Sequence, residues 1–153
     1  MKQAAERGGA ARVTRDDLGF LLAKATQRWN ELLHDRFKAA GFADVRPSYG
    51  SILVPLFEQN GLRMTELARR SRLSKQTMTT MVRLLERDGF VERRPDPSDG
   101  RAALVFLTGR GRQLQPVAAA ILGELERLVR GRLSVEAVDW LKQALRELML
   151  MEP

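Results

Sequence analysis

Leu73-Ser74-Lys75-Gln76-Thr77-Met78-Thr79-Thr80-Met81-Val82-Arg83-Leu84-Leu85-Glu86-Arg87-Asp88-Gly89 decides the fold. Ser74 suits a helix cap, Lys75 to Asp88 reads as the helix, and Gly89 stops it. Met78, Met81, Val82 and Leu85 fall on an inward stripe, with Leu84 at its boundary. The opposite face carries Ser74, Lys75, Gln76, Thr77, Thr79, Thr80 and Arg83, with no acid among them; Glu86 and Asp88 come only at the far end. A phosphate-lined groove repels carboxylates and attracts a helix amino terminus. An ordinary amphipathic helix with a solvated polar face fits the same residues, so the flanking sequence has to decide.

Upstream, Leu62-Arg63-Met64 is long enough only for a small strand, and Thr65 suits the cap of a helix from Glu66 to Ser71. Downstream, Phe90 to Arg94 alternates as a strand. Pro95-Asp96-Pro97-Ser98-Asp99-Gly100 is turn chemistry throughout, and Ala103 to Leu107 reads as the returning strand. The order helix, turn, helix, strand, basic loop, strand is that of a winged helix-turn-helix. In that arrangement the second helix lies in the major groove of duplex DNA. Arg101, just past the hairpin tip, is placed for the adjacent minor groove, whose negative potential favours a guanidinium. Asp96 or Asp99 is placed to pair with an arginine and hold the loop's shape.

Charge supports this placement. The net charge is +7, and between Leu62 and Arg112 twelve basic residues face six acidic ones, a balance of +6 in one third of the chain. Such a patch favours anionic partners. With 153 residues, 44% hydrophobic and 29% charged, the composition is that of a globular protein. No run is apolar for the roughly 18 residues of a membrane span. Met1 to Gly9 lacks the apolar core of a secretion signal, so no membrane partner and a cytoplasmic location are expected.

There is no cysteine and one histidine, His34. This excludes disulfides, thiolate or His/Cys zinc sites and cysteine redox sensing. Phosphate-binding glycine loops and a nucleophile elbow are missing too. No cofactor, no metal and no enzymatic activity are expected.

Residues 62 to 113 resemble the winged helix-turn-helix core of the MarR family of bacterial regulators. The resemblance rests on Leu67-Ala68, on Leu73 to Thr79, and on Leu84-Leu85-Glu86-Arg87-Asp88-Gly89-Phe90-Val91-Glu92-Arg93. The wing adds Asp96-Pro97-Ser98-Asp99-Gly100-Arg101, and Leu107-Thr108-Gly109-Arg110-Gly111 closes it. D-x-x-D-x-R followed by L-T-x-x-G is specific in this context, and the helix arrangement extends the likeness from about residue 17 to the end. It implies a triangular homodimer on a pseudo-palindromic operator, often a repressor released by a small anionic or aromatic effector. By the same resemblance Arg101 is the minor-groove arginine, Asp99 the wing acid paired with an arginine, and 75–83 the major-groove reader. Arg94 and Ser98 are further wing residues expected at the DNA. The family often has a basic residue where Ser98 stands. Gly109 replaces a helix-favouring residue, so the fifth helix is expected to begin loosely.

The expected fold is mainly α with a small β-hairpin wing, dimerising through N- and C-terminal helices. Residues 1–14 form a flexible arm, 15–60 the N-terminal support helices, 61–107 the DNA-binding lobe and 108–153 the C-terminal dimerisation helices. The first helix carries an apolar stripe of Leu18, Leu21, Leu22, Ala25, Trp29, Leu32, Leu33 and Phe37, with Asp16 and Asp17 in its first turn and Gly41 at its end. A second starts near Pro47 and is bent at Pro55. Thr108 caps a fifth helix to about Gly131, bent by Pro116 and Gly123. Ser134 caps the last, whose seam is Val138, Leu141, Leu145 and Leu148, widened by Trp140 and Leu150. Leu18, Leu21 and that seam are the candidate dimer surface. In the family, effectors sit between the dimerisation helices and the DNA-reading lobe. Trp29, His34, Arg36, Arg46 and Tyr49 are the candidates here, though for each a structural role is the stronger reading. A non-specific architectural nucleic-acid binder is the alternative function. A helical enzyme and a winged helix used only for protein contacts fit less well; the latter leaves the acid-free helix face unexplained.

Overall fold

The computed structural model describes residues 12–152. Most of the expected arm, residues 1–14, lies outside them. Six helices and three strands follow in chain order. They are α1 (Leu18–Ala39), a 3₁₀ turn (Pro47–Tyr49) running into α2 (Gly50–Glu58), β1 (Leu62–Arg63), α3 (Met64–Ser71), α4 (Lys75–Arg87), β2 (Val91–Asp96), β3 (Asp99–Leu107), α5 (Gly109–Leu133) and α6 (Val135–Leu150). The sheet is antiparallel in the order β1-β3-β2. The chain is thus mainly α with a winged helix-turn-helix at its centre.

The caps explain the boundaries. Ser74 accepts from the Thr77 amide, Thr108 from Gly111 and Ser134 from Ala137, each filling one of the orphan donors of a helix start. At the other end of α4, Gly89 takes φ +79 while Phe90 N donates to Leu85 O at 2.9 Å. A side chain would be strained there, and this geometry turns the chain from helix into strand.

Several boundaries differ from the sequence expectation. Thr65 does not cap α3; the helix starts at Met64, with Arg63 at the cap position and no side-chain cap bond. Asp17 caps α1 positionally rather than sitting in its first turn, which holds no acid. Pro47 opens the 3₁₀ turn rather than α2 itself. Pro55 lies inside α2 and frees the Ser51 carbonyl, which accepts instead from the Ser71 hydroxyl of α3. This places the proline at a helix contact. α5, one helix as expected, ends at Leu133 and holds Pro116 in its interior.

The hairpin is tighter than its composition suggests. Asp96 pairs with Asp99, leaving only Pro97 and Ser98 in the turn. The reason is the Asp96 side chain, whose Oδ1 accepts from Ser98 N at 2.9 Å and Ser98 Oγ at 2.8 Å.

One continuous core joins α1 (Leu33, Phe37), α2 (Ile52, Leu53, Leu56), the helix pair (Leu67, Met78, Val82, Leu85), the sheet (Leu62, Val91, Val105, Leu107) and α5 (Leu114, Ile121, Leu125). It stops short of both chain ends. Leu18 is 65% exposed, Trp140 72% and Leu145 38%, and Leu21, Leu141 and Leu148 are exposed too. Val138 is the exception in the α6 seam, since it is buried within the chain. No helix of the described residues is long and apolar enough to cross a membrane.

Candidate nucleic-acid interface

α4 buries Met78, Val82 and Leu85 and exposes Lys75, Gln76, Thr77, Thr80 and Arg83, with Thr79 half-buried. The threonine hydroxyls are oriented by the helix itself. Thr79 Oγ1 donates to Lys75 O at 2.9 Å and Thr80 Oγ1 to Gln76 O at 3.1 Å, which leaves their lone pairs outward. Ser74 Oγ and Thr77 Oγ1 are 2.9 Å apart at the amino terminus.

Between α4 and the hairpin lies an open cleft of about 490 Å³. Its polar lining is Arg63, Thr65, Lys75, Thr79, Arg93, Asp99 and Arg101. Four cations against one carboxylate make it electropositive. Among the described residues, the side chains of Lys75, Arg83 and Arg101 have no hydrogen-bond or ion-pair partner, so their charge is available to a ligand. Arg93 is held by Glu86 of α4, with Nε–Oε1 at 2.8 Å.

The sequence-derived residues divide by position. Lys75, Thr79, Asp99 and Arg101 meet at the cleft, while Ser74, Gln76, Thr77, Thr80 and Arg83 extend the same helix surface. Arg94 lines no part of the cleft; Glu92 pairs with it, and its guanidinium lies 4.4 Å from the Phe106 ring centre. Arg63, Thr65 and Arg93 line the cleft but were not singled out from sequence. Strand alternation carried the signal for Arg93, two residues after inward Val91. The wing acid paired with an arginine is Asp96, to Arg63 at 2.6 Å, whereas Asp99 accepts from the Arg101 backbone amide at 3.0 Å. Asp96 is the buried charge of the region, 7% exposed. The Ser98 amide and hydroxyl, then Arg63, hold its carboxyl below the usual carboxylate range.

The five effector candidates do not converge. An apolar cavity of about 340 Å³ opens between α1, α2 and α5, lined by Leu33, Phe37, Val45, Leu53, Phe57, Leu114 and Leu122, with Arg46 and Gln115 as its polar groups. Of the five, only Arg46 reaches it. His34 joins Arg46 around a polar hollow with Asp44, Arg87 and Asp88. Trp29 is half-buried against the core, and Arg36 is tied to Glu124 at 3.0 Å.

Tyr49 is fully buried and donates from its hydroxyl to Asp88 Oδ2 at 2.5 Å, fastening the α1–α2 connection to the end of α4. Burial first, then Asp88, pushes the phenol up to about 12. Folded Tyr49 therefore resists ionisation through the range where an unfolded tyrosine loses its proton. This stability is fully present below about pH 10 and is lost as pH rises towards 12. Tyr49→Phe is expected to cost about 1–2 kcal/mol at neutral pH and to flatten that alkaline loss, as read from urea unfolding at pH 7 and at pH 11.

Such a helix, cleft and hairpin define a winged helix-turn-helix DNA-binding protein. A model of the MarR family matches residues 47–103. HTH-type transcriptional repressor Rv2887 of Mycobacterium tuberculosis (strain ATCC 25618 / H37Rv) is 36% identical over 93 residues, covering 61% of this chain and 67% of that protein. Transcriptional regulator HosA of Escherichia coli O111:H- is 28% identical over 129 residues, covering 84% and 89%. A crystal structure of a probable transcriptional regulator from Pseudomonas aeruginosa superposes with a TM-score of 0.77 at 29% identity, covering 87% and 97%. The fold is shared also with AbfR, solved bound to DNA, with a TM-score of 0.65 at 24% identity and coverage of 86% and 92%. The chain belongs to the MarR family and is a DNA-binding transcriptional regulator of repressor-like type.

Proposed function

We propose that this protein is a sequence-specific repressor that binds a pseudo-palindromic operator as a homodimer and is released by a small anionic or aromatic effector. The observation that carries the reading is the acid-free exposed face of α4 beside a cleft in which Lys75 and Arg101 have no internal partner. Residues 75–83 read the major groove and Arg101 enters the flanking minor groove. In this division 61–107 is the DNA-reading lobe, and 15–60 with 108–153 support and pair it. The exposed leucines of α1 and α6 are the pairing surface. The apolar cavity, within the size range of small-molecule sites, takes the effector's ring, with Arg46 opposite its anionic group. That AbfR was crystallised on DNA supports the same use of this fold.

Selection of bound duplexes from a random pool tests the reading. The expected product has two related half-sites, centred about one helical turn (roughly 10 base pairs) apart. It should be held at least about a thousandfold more tightly than random DNA. A pool that stays random would favour the architectural alternative, in which phosphate neutralisation alone drives binding. At matched salt, Arg101→Ala should weaken operator binding by about 30-fold, roughly 2 kcal/mol, with dimer mass unchanged; undiminished affinity would remove Arg101 from the interface.

A further inference from the structure

We propose that Arg63, the last residue of β1, is a positioning residue for DNA recognition: it fixes the wing and thereby aims Arg101. This inference rests on the operator reading above. Its geometry starts from the sheet. β1 pairs with β3 through only two residues, Leu62 with Val105 and Arg63 with Leu104. Beyond that point the hairpin is a two-stranded ribbon, which by itself bends and twists readily.

Arg63 spans the free part. Its Nε donates to Asp96 Oδ2 at 2.6 Å and its Nη2 to Ser98 Oγ at 3.1 Å. The other Asp96 oxygen closes the turn on Ser98. The register breaks between Pro95, opposite Ala103, and Asp96, opposite Asp99, so the pairing passes over Gly100, Arg101 and Ala102 of β3, and the Asp96 side chain beside this break is buried. The turn is therefore tied back on itself and tethered sideways to the residue that starts α3. Asp99 continues the connection, holding the Arg101 amide.

Electrostatics acts in the same direction. Arg63, which lines the cleft, neutralises the buried carboxylate of the wing turn. Without it, Asp96 would keep only its Ser98 partners and stand as an uncompensated carboxylate in the wing. A direct phosphate contact by Arg63 is the competing role, since its side chain is 45% exposed. The two roles predict different couplings. A residue acting through Arg101 has nothing left to aim once Arg101 is gone, whereas an independent phosphate contact adds its own loss.

The test is a double-mutant cycle on the full chain, using the duplex recovered by selection and a salt series. Arg63→Ala is expected to bind about 10-fold more weakly than the parent. Arg63→Ala with Arg101→Ala should bind within about twofold of Arg101→Ala alone. Asp96→Ala should act like Arg63→Ala and not add to it. Thermal unfolding checks each variant; if Arg63→Ala fails to fold, Ser98→Ala, which removes the hydroxyl shared by Arg63 and Asp96 and leaves the Arg63–Asp96 ion pair, replaces it under the same criterion with a smaller, few-fold loss. Additive losses, with a salt slope shallower by about one in Arg63→Ala, would identify a phosphate contact and overturn the proposal while leaving the operator reading intact. Full affinity in Arg101→Ala would overturn both.

Discussion

Replacing Gly111 by alanine is expected to lower the melting temperature by about 10 °C or to prevent folding altogether. A Cβ on Gly111 would lie 2.2 Å from the Phe90 carbonyl oxygen and 3.2 Å from a methyl of Leu107. The carbonyl cannot move aside freely, because it accepts from Thr108 N at 3.0 Å. Thr108 in turn donates to Gly89 O and caps α5 through the Gly111 amide. The start of α5 is thus docked backbone to backbone on the start of β2. Opening that contact breaks a cap, a buried hydrogen bond and the Phe90 packing together, about 3 kcal/mol or more. For a chain of this size such a loss corresponds to roughly the shift given. The matched control is Gly109→Ala, where nothing lies within 4 Å; it should be neutral or slightly stabilising. A Gly111→Ala protein melting within two or three degrees of the parent would show that the two backbones separate cheaply.

Leu145→Asp is expected to convert the proposed dimer to monomer and to reduce operator affinity by at least about a hundredfold. Leu145 lies on α6 with Leu141 and Leu148, all exposed in the single chain, while Leu18 and Leu21 are exposed on α1. A monomer rarely leaves so much aliphatic surface in water. Symmetry places each substitution in the interface twice, and a buried, unpaired carboxylate costs several kcal/mol. Once separated, the subunits bind half-sites singly and lose the effective concentration that pairing supplies. Analytical ultracentrifugation reads the mass and a filter-binding titration the affinity. A dimer persisting at micromolar concentration would move the interface away from the α6 seam. Val138 is a poor choice for the same experiment, because it is buried within its own chain and its loss would damage folding first.

The fold was legible wherever one residue type has one physical use. Ser74, Thr108 and Ser134 each cap the helix expected of them, since a hydroxyl before an apolar stripe has an orphan amide to fill. Gly89 was legible because only glycine accepts its backbone angle without strain. The helix boundary at Thr65 was not, because the chain enters α3 directly from a paired strand and needs no side-chain cap there. Gly109 stands out in the sequence for its helix propensity, yet of the two glycines that open α5 the one with a close contact is Gly111. That contact comes from an approach between α5 and β2, which local sequence does not encode. Within the candidate site, Lys75, Thr79 and Arg101 were readable from the acid-free face and the hairpin tip. Arg63 was not, because its partner is 33 residues away and the tether depends on the register break between Pro95 and Asp96.

α5 runs unbroken for 25 residues, from its docking point against the wing strands to the exposed apolar end of the molecule. At about 1.5 Å per residue it is a rod of roughly 37 Å. In the proposed homodimer the distance and phase between the two reading heads are then set by a measuring rod instead of a tether. Inserting a single residue midway along it would swing the head through about 100° relative to its mate, out of step with any regularly wound target.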